Sequence, residues 1–363
     1  MAAVRLLLAF TLATQLRFLC ESADIKYPAV FNFGDSNSDT GGLVAGVAFP
    51  IVESMHLPFL NPYLDTTGAP SFQTGCNFAT GGATILPANA ASVSPFSFGV
   101  QVSQFLRFKS RVLELLKDRK AKKFLPPKEY FVQGLYAIDI GQNDLDGAFY
   151  SKTEDQVVAF LPTILSELEA GLRKLYDHGA RRFWIHNTSP LGCLPRIIDK
   201  FGNDPSKLDE LGCVESHNQV ATLLNIQLHA LCKKLQEELS DFNYTYVDVF
   251  SIKTNLISNY YQFGFKQAVA ACCGYGGLPL NYDSRIACVL KVILIQQCGQ
   301  TKMLNGSSVT ATACNNSAEY VNWDGNHYTE AANYHVLSQI LTGNYFDQPA
   351  RNHNLTSTYI MTV

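Results

Sequence analysis

The sequence predicts an α/β fold with a parallel sheet, and three observations support that prediction. Short apolar segments alternate with long amphipathic ones, which is the pattern of strands separated by helices. The apolar segments at 27–33, 76–78 and 135–140 are each followed by polar residues and glycines. No repeat, low-complexity tract or linker divides the chain, so we expect one domain over residues 24–363. Strands joined by helical crossovers pair in parallel, and ligands gather at their carboxyl ends.

The elements follow from local patterns in chain order. The run at 27–33 is apolar and stops abruptly at Gly34, as a buried strand does at the rim of a sheet. Near the other end, Thr329 stands where the N-cap of a last helix is expected. The full prediction is strands at 27–33, 76–78, 135–140, 182–186 and 244–249, and helices at 105–119, 155–176, 215–239 and 330–341.

Composition and charge narrow the class of function. The chain has 363 residues, of which 47% are hydrophobic, enough for a sizeable core. Its 28 basic residues are balanced by 31 acidic ones, with no long run of one sign. We therefore expect neither nucleic acid nor an anionic membrane surface as a partner.

The first 23 residues have the pattern of a secretory signal peptide. Arg5 precedes an apolar run at 6–16, and Ser22 and Ala23 offer a cleavage site. Arg17 interrupts the run, which is too short to cross a membrane, so we expect no transmembrane anchor. An uncleaved anchor is the alternative.

Cysteines and glycosylation sequons agree with secretion. Nine cysteines follow Cys20, and their spacing suits no zinc ribbon, whereas an oxidising compartment favours disulfides. Cys193 with Cys213 is the favoured pair, and the other disulfide candidates are Cys272, Cys273, Cys298 and Cys314. Five Asn-x-Ser/Thr sequons begin at Asn187, Asn243, Asn305, Asn315 and Asn354, of which the last four are the glycosylation candidates.

Ser36 is the candidate nucleophile because it follows the first strand directly, at the rim of the predicted sheet. A serine attacks a carbonyl only when a base removes its proton and an acid holds that base in the right tautomer. His327 has Asp324 three residues before it, in a glycine-bearing loop that we expect to bend at Gly325. The rival His56, after Glu53, fits a surface pair on a helix.

The same reaction requires donors for the developing oxyanion. Gly82 follows the second strand and offers a backbone N–H, and Asn143 follows the third strand and offers an amide. Taken singly, Gly82 is equally a plain turn residue, Asn143 a helix cap and Ser36 an N-cap. All of them fall at loop positions of one rim of the sheet, which favours catalytic roles over turn and cap roles.

These segments resemble those of the plant-type GDSL esterase/lipase family, within the SGNH hydrolases and in its early-nodulin-like, acetylesterase-like subgroup. The resemblance covers nearly the whole chain after residue 23. The matching segments are FNFGDSNSDTGG at 31–42, NFATGGATI at 77–85, IDIGQND at 138–144, NTSPLGCLP at 187–195, ACCGYGG at 271–277 and WDGNHYT at 323–329.

The resemblance implies a three-layer α/β/α sandwich with a flavodoxin-like parallel five-stranded sheet, and hydrolysis of carboxylic esters without metal or cofactor. It assigns the nucleophile to Ser36, the acid to Asp324 and the base to His327. The oxyanion donors would be the N–H groups of Ser36 and Gly82 and the amide of Asn143. The implied partner is a small-molecule ester with an acetyl or short to medium acyl group, of a glycoside or a lipid. We expect a monomer in the cell wall or apoplast.

The sequence departs from the family in three places. A stretch usually found after the first helix is missing, which predicts a deletion at 50/51. An apolar segment at 289–297 separates Cys288 from Cys298, where the family usually has one cysteine, which predicts an insertion. Together they favour a mis-spliced or mis-predicted coding sequence. Cys76 stands where the family has a small residue, and we expect a free thiol there.

Two other functions stay open. A fucosidase-like glycosidase would need a pair of carboxylates across the sugar. Asp35 and Asp39 lie near Ser36, but they are more simply turn and cap residues. A catalytically silent binding protein would follow if the missing segment disables the pocket. A phosphate-binding loop is disfavoured, since neither GxxxxGK[ST] nor GxGxxG occurs around Gly41-Gly42.

Overall fold

The computed structural model describes residues 27–39, 59–64, 70–89, 92–286, 288, 299 and 301–347. Several sequence-based predictions lie outside these residues: the signal peptide at 1–23, the deletion at 50/51, the insertion at 289–297, and the candidates Cys298 and Asn354. Within the described ranges, no helix has the length and apolar character needed to cross a bilayer.

A five-stranded sheet forms the centre of the fold, and all its neighbouring strands are parallel. The strands are β1 (Val30–Gly34), β2 (Gly75–Asn77), β3 (Leu135–Asp139), β4 (Arg182–His186) and β5 (Asn243–Val247). Their spatial order is β2-β1-β3-β4-β5, the flavodoxin-like order that the family resemblance implies. The winding reverses between β1 and β3, so the segments after these two strands enclose a crevice.

Eight α-helices occur in the described part of the chain. They are α1 (Phe98–Leu115), α2 (Tyr130–Gln133), α3 (Gln142–Phe149), α4 (Glu154–Asp177), α5 (Pro195–Phe201), α6 (Glu215–Glu238), α7 (Val249–Ser258) and α8 (Glu330–Leu341). Thr329 caps α8, because its hydroxyl accepts a hydrogen bond from the Ala332 N–H at 3.2 Å. The predicted fifth strand ran too far: Val249 begins α7, since Asp248 caps that helix through the Ser251 N–H at 3.0 Å.

Helices cover both faces of the sheet, which gives the three layers expected from the family. The strands alternate: Phe31 and Phe33 point into one core, with α1, α4 and α6, whereas Val30 points into the other, with α7 and α8. The first core contains an aromatic cluster, in which the Phe31 ring stacks on Phe131 with centroids 5.2 Å apart. These packed faces hold β1 rigidly beneath the residues that follow it.

In the described ranges, six short strands lie outside the central sheet: β6 (Gln267–Ala271), β7 (Cys273–Gly274), β8 (Thr301–Leu304), β9 (Ser307–Thr310), β10 (Thr312–Ala313) and β11 (Tyr320–Asn322). β11 pairs in parallel with β6 and runs directly into the loop at 323–329. This pairing fixes the start of the loop that contains Asp324 and His327.

Three disulfides are present among the described cysteines. The predicted pair Cys193–Cys213 is confirmed. Cys272 is bonded to Cys314, so these two candidates pair with each other. Cys273 is bonded to Cys288, which was not among the candidates. Cys76 is a buried free thiol, as expected, and so is Cys232.

Candidate active site

Ser36 lies just past the carboxyl end of β1, where the winding of the sheet reverses. Gly34 must be small there, since a Cβ atom would lie 2.4 Å from the Asp139 carbonyl oxygen. The next residue, Asp35, donates its backbone N–H to the same carbonyl at 3.2 Å, which extends the contact with β3 by one residue. Ser36 is itself largely buried, and its hydroxyl faces the cleft.

Ser36, His327 and Asp324 form one chain of hydrogen bonds. The Ser36 Oγ lies 2.9 Å from His327 Nε2, and His327 Nδ1 lies 2.9 Å from Asp324 Oδ2. Because the ionised carboxylate can only accept, the hydrogen of the neutral ring is assigned to Nδ1. Nε2 is then free to accept the Ser36 proton, which is the geometry that nucleophilic catalysis requires.

The loop at 323–329 holds the acid and the base in place by its own backbone. Asp324 Oδ1 accepts from the N–H groups of Asn326 at 2.7 Å and His327 at 2.8 Å. The loop bends at Gly325, as expected, and this residue also allows close packing: a Cβ atom there would lie 2.2 Å from the Tyr282 ring. Both carboxylate oxygens face the imidazole, Oδ2 at 2.9 Å and Oδ1 at 3.1 Å from His327 Nδ1, so Oδ1 serves the turn and the ring together.

The charges of this pair support the roles. Burial alone lowers the pKa of His327, but the attraction of the Asp324 carboxylate outweighs it, and the net pKa lies above 6.5. Burial pushes the pKa of Asp324 upward, but the charge of His327 and the N–H donors of the loop hold it below its usual value. Asp324 therefore stays ionised near neutral pH, and its charge is placed to stabilise an imidazolium at His327.

The candidate oxyanion donors lie around the same cleft. Gly82 adopts a φ of +75°, which favours glycine, and no described residue accepts a hydrogen bond from the N–H groups of Ser36 or Gly82. Gly81, by contrast, donates its N–H to Asp39 Oδ2 at 2.8 Å, which leaves Gly82 as the free donor. Asn143 gives one amide hydrogen to the Ala83 carbonyl at 2.9 Å and keeps a second for the cleft.

The cleft has a volume of about 700 Å³. Ser36, Gly82, Asn143 and His327 all line it. The remaining wall is apolar in part, with Leu86, Pro87, Val93, Leu191, Leu194 and Ile197, and polar in part, with Asp146, Tyr150, Lys152, Arg196 and Asn326.

Comparison with known proteins identifies the family of this chain. The family model for GDSL-like lipase/acylhydrolase matches residues 30–340. The chain belongs to this family. A GDSL esterase/lipase of Arabidopsis thaliana is 54% identical over 385 residues, covering 91% of this chain and 92% of that protein. A second Arabidopsis GDSL esterase/lipase is 48% identical, covering 94% and 96%.

Among solved structures, an acylhydrolase from Bacteroides fragilis covers 88% of each chain, at 14% identity and a TM-score of 0.31. That likeness is too slight to support an argument about function. Because the chain belongs to this family and is 54% and 48% identical to the two Arabidopsis GDSL esterase/lipases, it is a carboxylic ester hydrolase.

Three buried amide side chains position the candidate nucleophile, Ser36, and the sequence analysis gave them no role. Gln101 on α1 accepts from the Gly34 N–H at 2.9 Å and donates to the Gly34 carbonyl at 2.7 Å. Asn32 and Asn77 donate to the Ser38 carbonyl at 3.1 and 2.7 Å and so fix the loop after Ser36. A polar residue inside an apolar strand, as in FNFG at 31–34, was the available signal.

Asp144 is a further residue that the sequence analysis gave no role. Its carboxylate accepts from the N–H groups of Ile85 at 2.7 Å and Leu86 at 3.0 Å. Burial raises its pKa to about 6. It ties the loop that contains Gly82 to the helix that contains Asn143, so the two oxyanion candidates are held at a fixed separation.

The carboxylates closest to Ser36 have structural partners in this GDSL-family chain. Asp35 is fully buried and accepts from the Asn37 N–H at 3.0 Å, which is the expected turn role. Burial and the nearby charge of Asp139 raise the pKa of Asp35 well above its usual range. The charge of Lys253 lowers the pKa of both carboxylates, and its ammonium donates to Ser189 Oγ at 2.8 Å.

His217 does not compete with His327 as the candidate base. His217 stacks on the Phe149 ring with centroids 3.7 Å apart, and burial lowers its pKa to about 4. The rival His56 lies outside the described residues. Within the described ranges, no three His, Cys, Asp or Glu side chains are grouped to hold a metal ion.

Proposed function

We propose that this chain is a secreted serine esterase that cleaves acetyl or short to medium acyl esters through an acyl-enzyme on Ser36. The observation that carries the proposal is the pair of 2.9 Å contacts, from Ser36 Oγ to His327 Nε2 and from His327 Nδ1 to Asp324 Oδ2, at the wall of a cleft. A serine, a base and an acid in this arrangement perform acyl transfer.

Acylation begins when Ser36 Oγ attacks the ester carbonyl while its proton moves to His327 Nε2. The carbonyl oxygen becomes an oxyanion, which the N–H groups of Ser36 and Gly82 and the amide of Asn143 would stabilise. The carbon–oxygen bond to the alcohol then breaks, and His327 gives its proton to the leaving oxygen. Asp324 stabilises the imidazolium during this step.

Deacylation repeats the same steps with water as the nucleophile. His327 removes a proton from water, the hydroxide oxygen bonds to the acyl carbon, and the bond to Ser36 Oγ breaks. The proton on His327 returns to Ser36, and the carboxylic acid leaves. No redox partner or cofactor enters this cycle.

The cleft offers less support for a glycosidase. That reaction needs a carboxylate on each side of the sugar. The two carboxylates that line the cleft, Asp144 and Asp146, are bonded to backbone N–H groups and paired with Arg196, respectively. Asp39 is bonded to the Gly81 N–H.

Secretion is supported by the disulfides and by exposed sequons. Three disulfides fit an oxidising compartment. Asn243, Asn305 and Asn315 are exposed and so accessible to a glycosyl transferase. Asn187 is buried, and its amide donates to Asp248 at 2.8 Å, which agrees with its omission from the candidates.

The proposal is tested by replacing the nucleophile. Ser36→Ala should remove nearly all turnover of 4-nitrophenyl acetate, measured as nitrophenolate release. The residual rate should be at most about a thousandfold above the uncatalysed rate. Ser103→Ala is the matched control, because this exposed serine lies on α1 and bonds only to the Gly99 carbonyl among described residues. Turnover retained in a folded Ser36→Ala protein would contradict the proposal, and so would loss of turnover in the control.

A further inference from the structure

A buried lysine contacts the residue that follows the candidate base, and the proposed mechanism gives it no role. Lys253 is on α7 and is only 9% exposed. Its ammonium donates to Ser189 Oγ at 2.8 Å and lies 4.7 Å from the centroid of the Tyr328 ring. Taking an ammonium out of water is costly unless an opposite charge compensates it, so the position of this lysine calls for an explanation.

Two carboxylates next to the candidate nucleophile supply the opposite charge. Asp35 directly precedes Ser36 and is fully buried. Its backbone N–H donates to the carbonyl of Asp139, the last residue of β3, at 3.2 Å. Burial lowers the pKa of Lys253, and the attraction of the two carboxylates opposes that effect. The lysine is therefore buried among groups of opposite charge.

Asp139 is the carboxylate that ionises first. Burial and the charge of Asp139 raise the pKa of Asp35 well above its usual range. Burial acts on Asp139 too, but His186, whose Nδ1 lies 3.6 Å from Asp139 Oδ2, and the charge of Lys253 hold the pKa of Asp139 below its usual value. Lys253 thus balances a negative charge on the residue whose backbone is bonded to the neighbour of Ser36.

Lys253 therefore joins the two segments that contain the candidate nucleophile and base. Its ammonium contacts the ring of Tyr328, the residue directly after His327. Its charge balances Asp139, whose carbonyl holds the residue before Ser36. Ser36 and His327 are 291 residues apart in the sequence, so their 2.9 Å contact depends on tertiary contacts between these segments.

We propose that Lys253 is a positioning residue of the esterase, whose buried ammonium holds the segments of the nucleophile and the base at contact distance. It does so through the charge of Asp139 and the ring of Tyr328. The inference rests on the proposed esterase function and adds a residue to it. Lys253 does not line the cleft, so it acts through these neighbours and not on the substrate.

The test removes the charge and keeps the length of the side chain. In Lys253→Met, kcat for 4-nitrophenyl acetate should fall about tenfold to a hundredfold, the cost of misplacing reacting groups by up to about 1 Å. KM should change less than about threefold, since the substrate does not touch Lys253. Lys266→Met is the matched control, because this exposed lysine pairs with Glu319 at 2.8 Å, and it should keep the wild-type kcat. A folded Lys253→Met protein with an unchanged kcat, or with a loss confined to KM, would overturn the inference.

A double variant separates charge balance from simple packing. Lys253→Met leaves Asp139 without its counter-charge, so Lys253→Met/Asp139→Asn should have a kcat about threefold or more above that of the single variant. The comparison also holds where Lys253→Met fails to fold, because the double variant removes both charges. Lys266→Met/Glu319→Gln makes the same changes in the exposed pair and should keep the wild-type kcat. A double variant no more active than Lys253→Met would overturn the inference. If Ser36→Ala abolishes turnover while Lys253→Met retains it, the proposed function stands and only the positioning role fails.

Discussion

The replacement Asp324→Asn tests how the acid acts on the base. Two backbone N–H donors, of Asn326 and His327, point at Asp324 Oδ1. In the variant, the amide oxygen must take that place, because an amide nitrogen there would set donor against donor. The NH₂ group then takes the place of Oδ2, 2.9 Å from His327 Nδ1. The amide oxygen, 3.1 Å from Nδ1, already accepts from two backbone N–H groups, so the donor in place of Oδ2 favours the tautomer with the ring hydrogen on Nε2.

With its hydrogen on Nε2, His327 cannot accept the Ser36 proton. The expected loss in kcat is about a thousandfold to ten-thousandfold, the size that this tautomer error causes in Ser-His-Asp enzymes. In free energy of activation that is about 4 to 5.5 kcal/mol. Binding of substrate should change little, since Asp324 is buried behind the imidazole.

The assay is hydrolysis of 4-nitrophenyl acetate, with kcat and KM determined separately. Asp204→Asn is the matched control, because this exposed carboxylate also accepts a backbone N–H, from Ser206 at 3.0 Å, at a position that does not line the cleft. A loss in kcat of less than tenfold, in an Asp324→Asn protein with a wild-type unfolding midpoint, would refute the tautomer argument.

Three further predictions follow. In a profile against pH, kcat/KM should fall on acidification, because His327 must be neutral to act as the base. The pKa of His327 is raised, so the midpoint should lie above 6.5, and a midpoint below 6.5 would contradict this prediction. Asn143→Ala should lower kcat about a hundredfold to a thousandfold in the same assay, with KM little changed, and a loss below threefold would exclude an oxyanion role. Cys193 and Cys213 lie 20 residues apart, and replacing both by Ala removes the loop that their disulfide closes in the unfolded chain. The free energy of unfolding, measured by denaturant titration, should therefore fall by about 3 kcal/mol. A change under about 1 kcal/mol would contradict this estimate from loop entropy.

The central sheet could be predicted from the sequence because its strands are short apolar runs that end in glycine and polar residues. β4 and α8 have the predicted bounds, and Thr329 caps α8 as expected. The candidate residues could be placed at one rim because parallel strands present their carboxyl ends together. Their roles remain a proposal, but their proximity was accessible from pattern alone.

Short helices and long-range polar contacts could not be predicted in the same way. α3, α5 and α7 have 8, 7 and 10 residues, too few for a clear helical period. Gln101 bonds to Gly34, 67 residues away, and no local pattern indicates that partner. The bend at Gly325 was predicted, but its packing against the Tyr282 ring was not, because that contact is a tertiary one.

The Arg196–Asp146 pair belongs to the same class. The residues come from helices that follow β4 and β3, and neither helix was predicted. Pro195 at the first position of α5 was the available signal for a helix start, since proline is favoured there. A cleft wall assembled from short elements is thus less visible in sequence than the strands that support it.

The central claim, an acyl-enzyme on Ser36, is tested most directly by covalent labelling with a serine-directed phosphonate, followed by peptide mass mapping. We predict one adduct per chain in the wild-type protein, on the peptide that contains Ser36, and no adduct in Ser36→Ala. Labelling of Asp324→Asn should be slower by about the same thousandfold or more as its turnover. An adduct on another residue would contradict the acyl-enzyme on Ser36. A folded wild-type protein that is not labelled would also contradict it and would favour a catalytically silent binding protein.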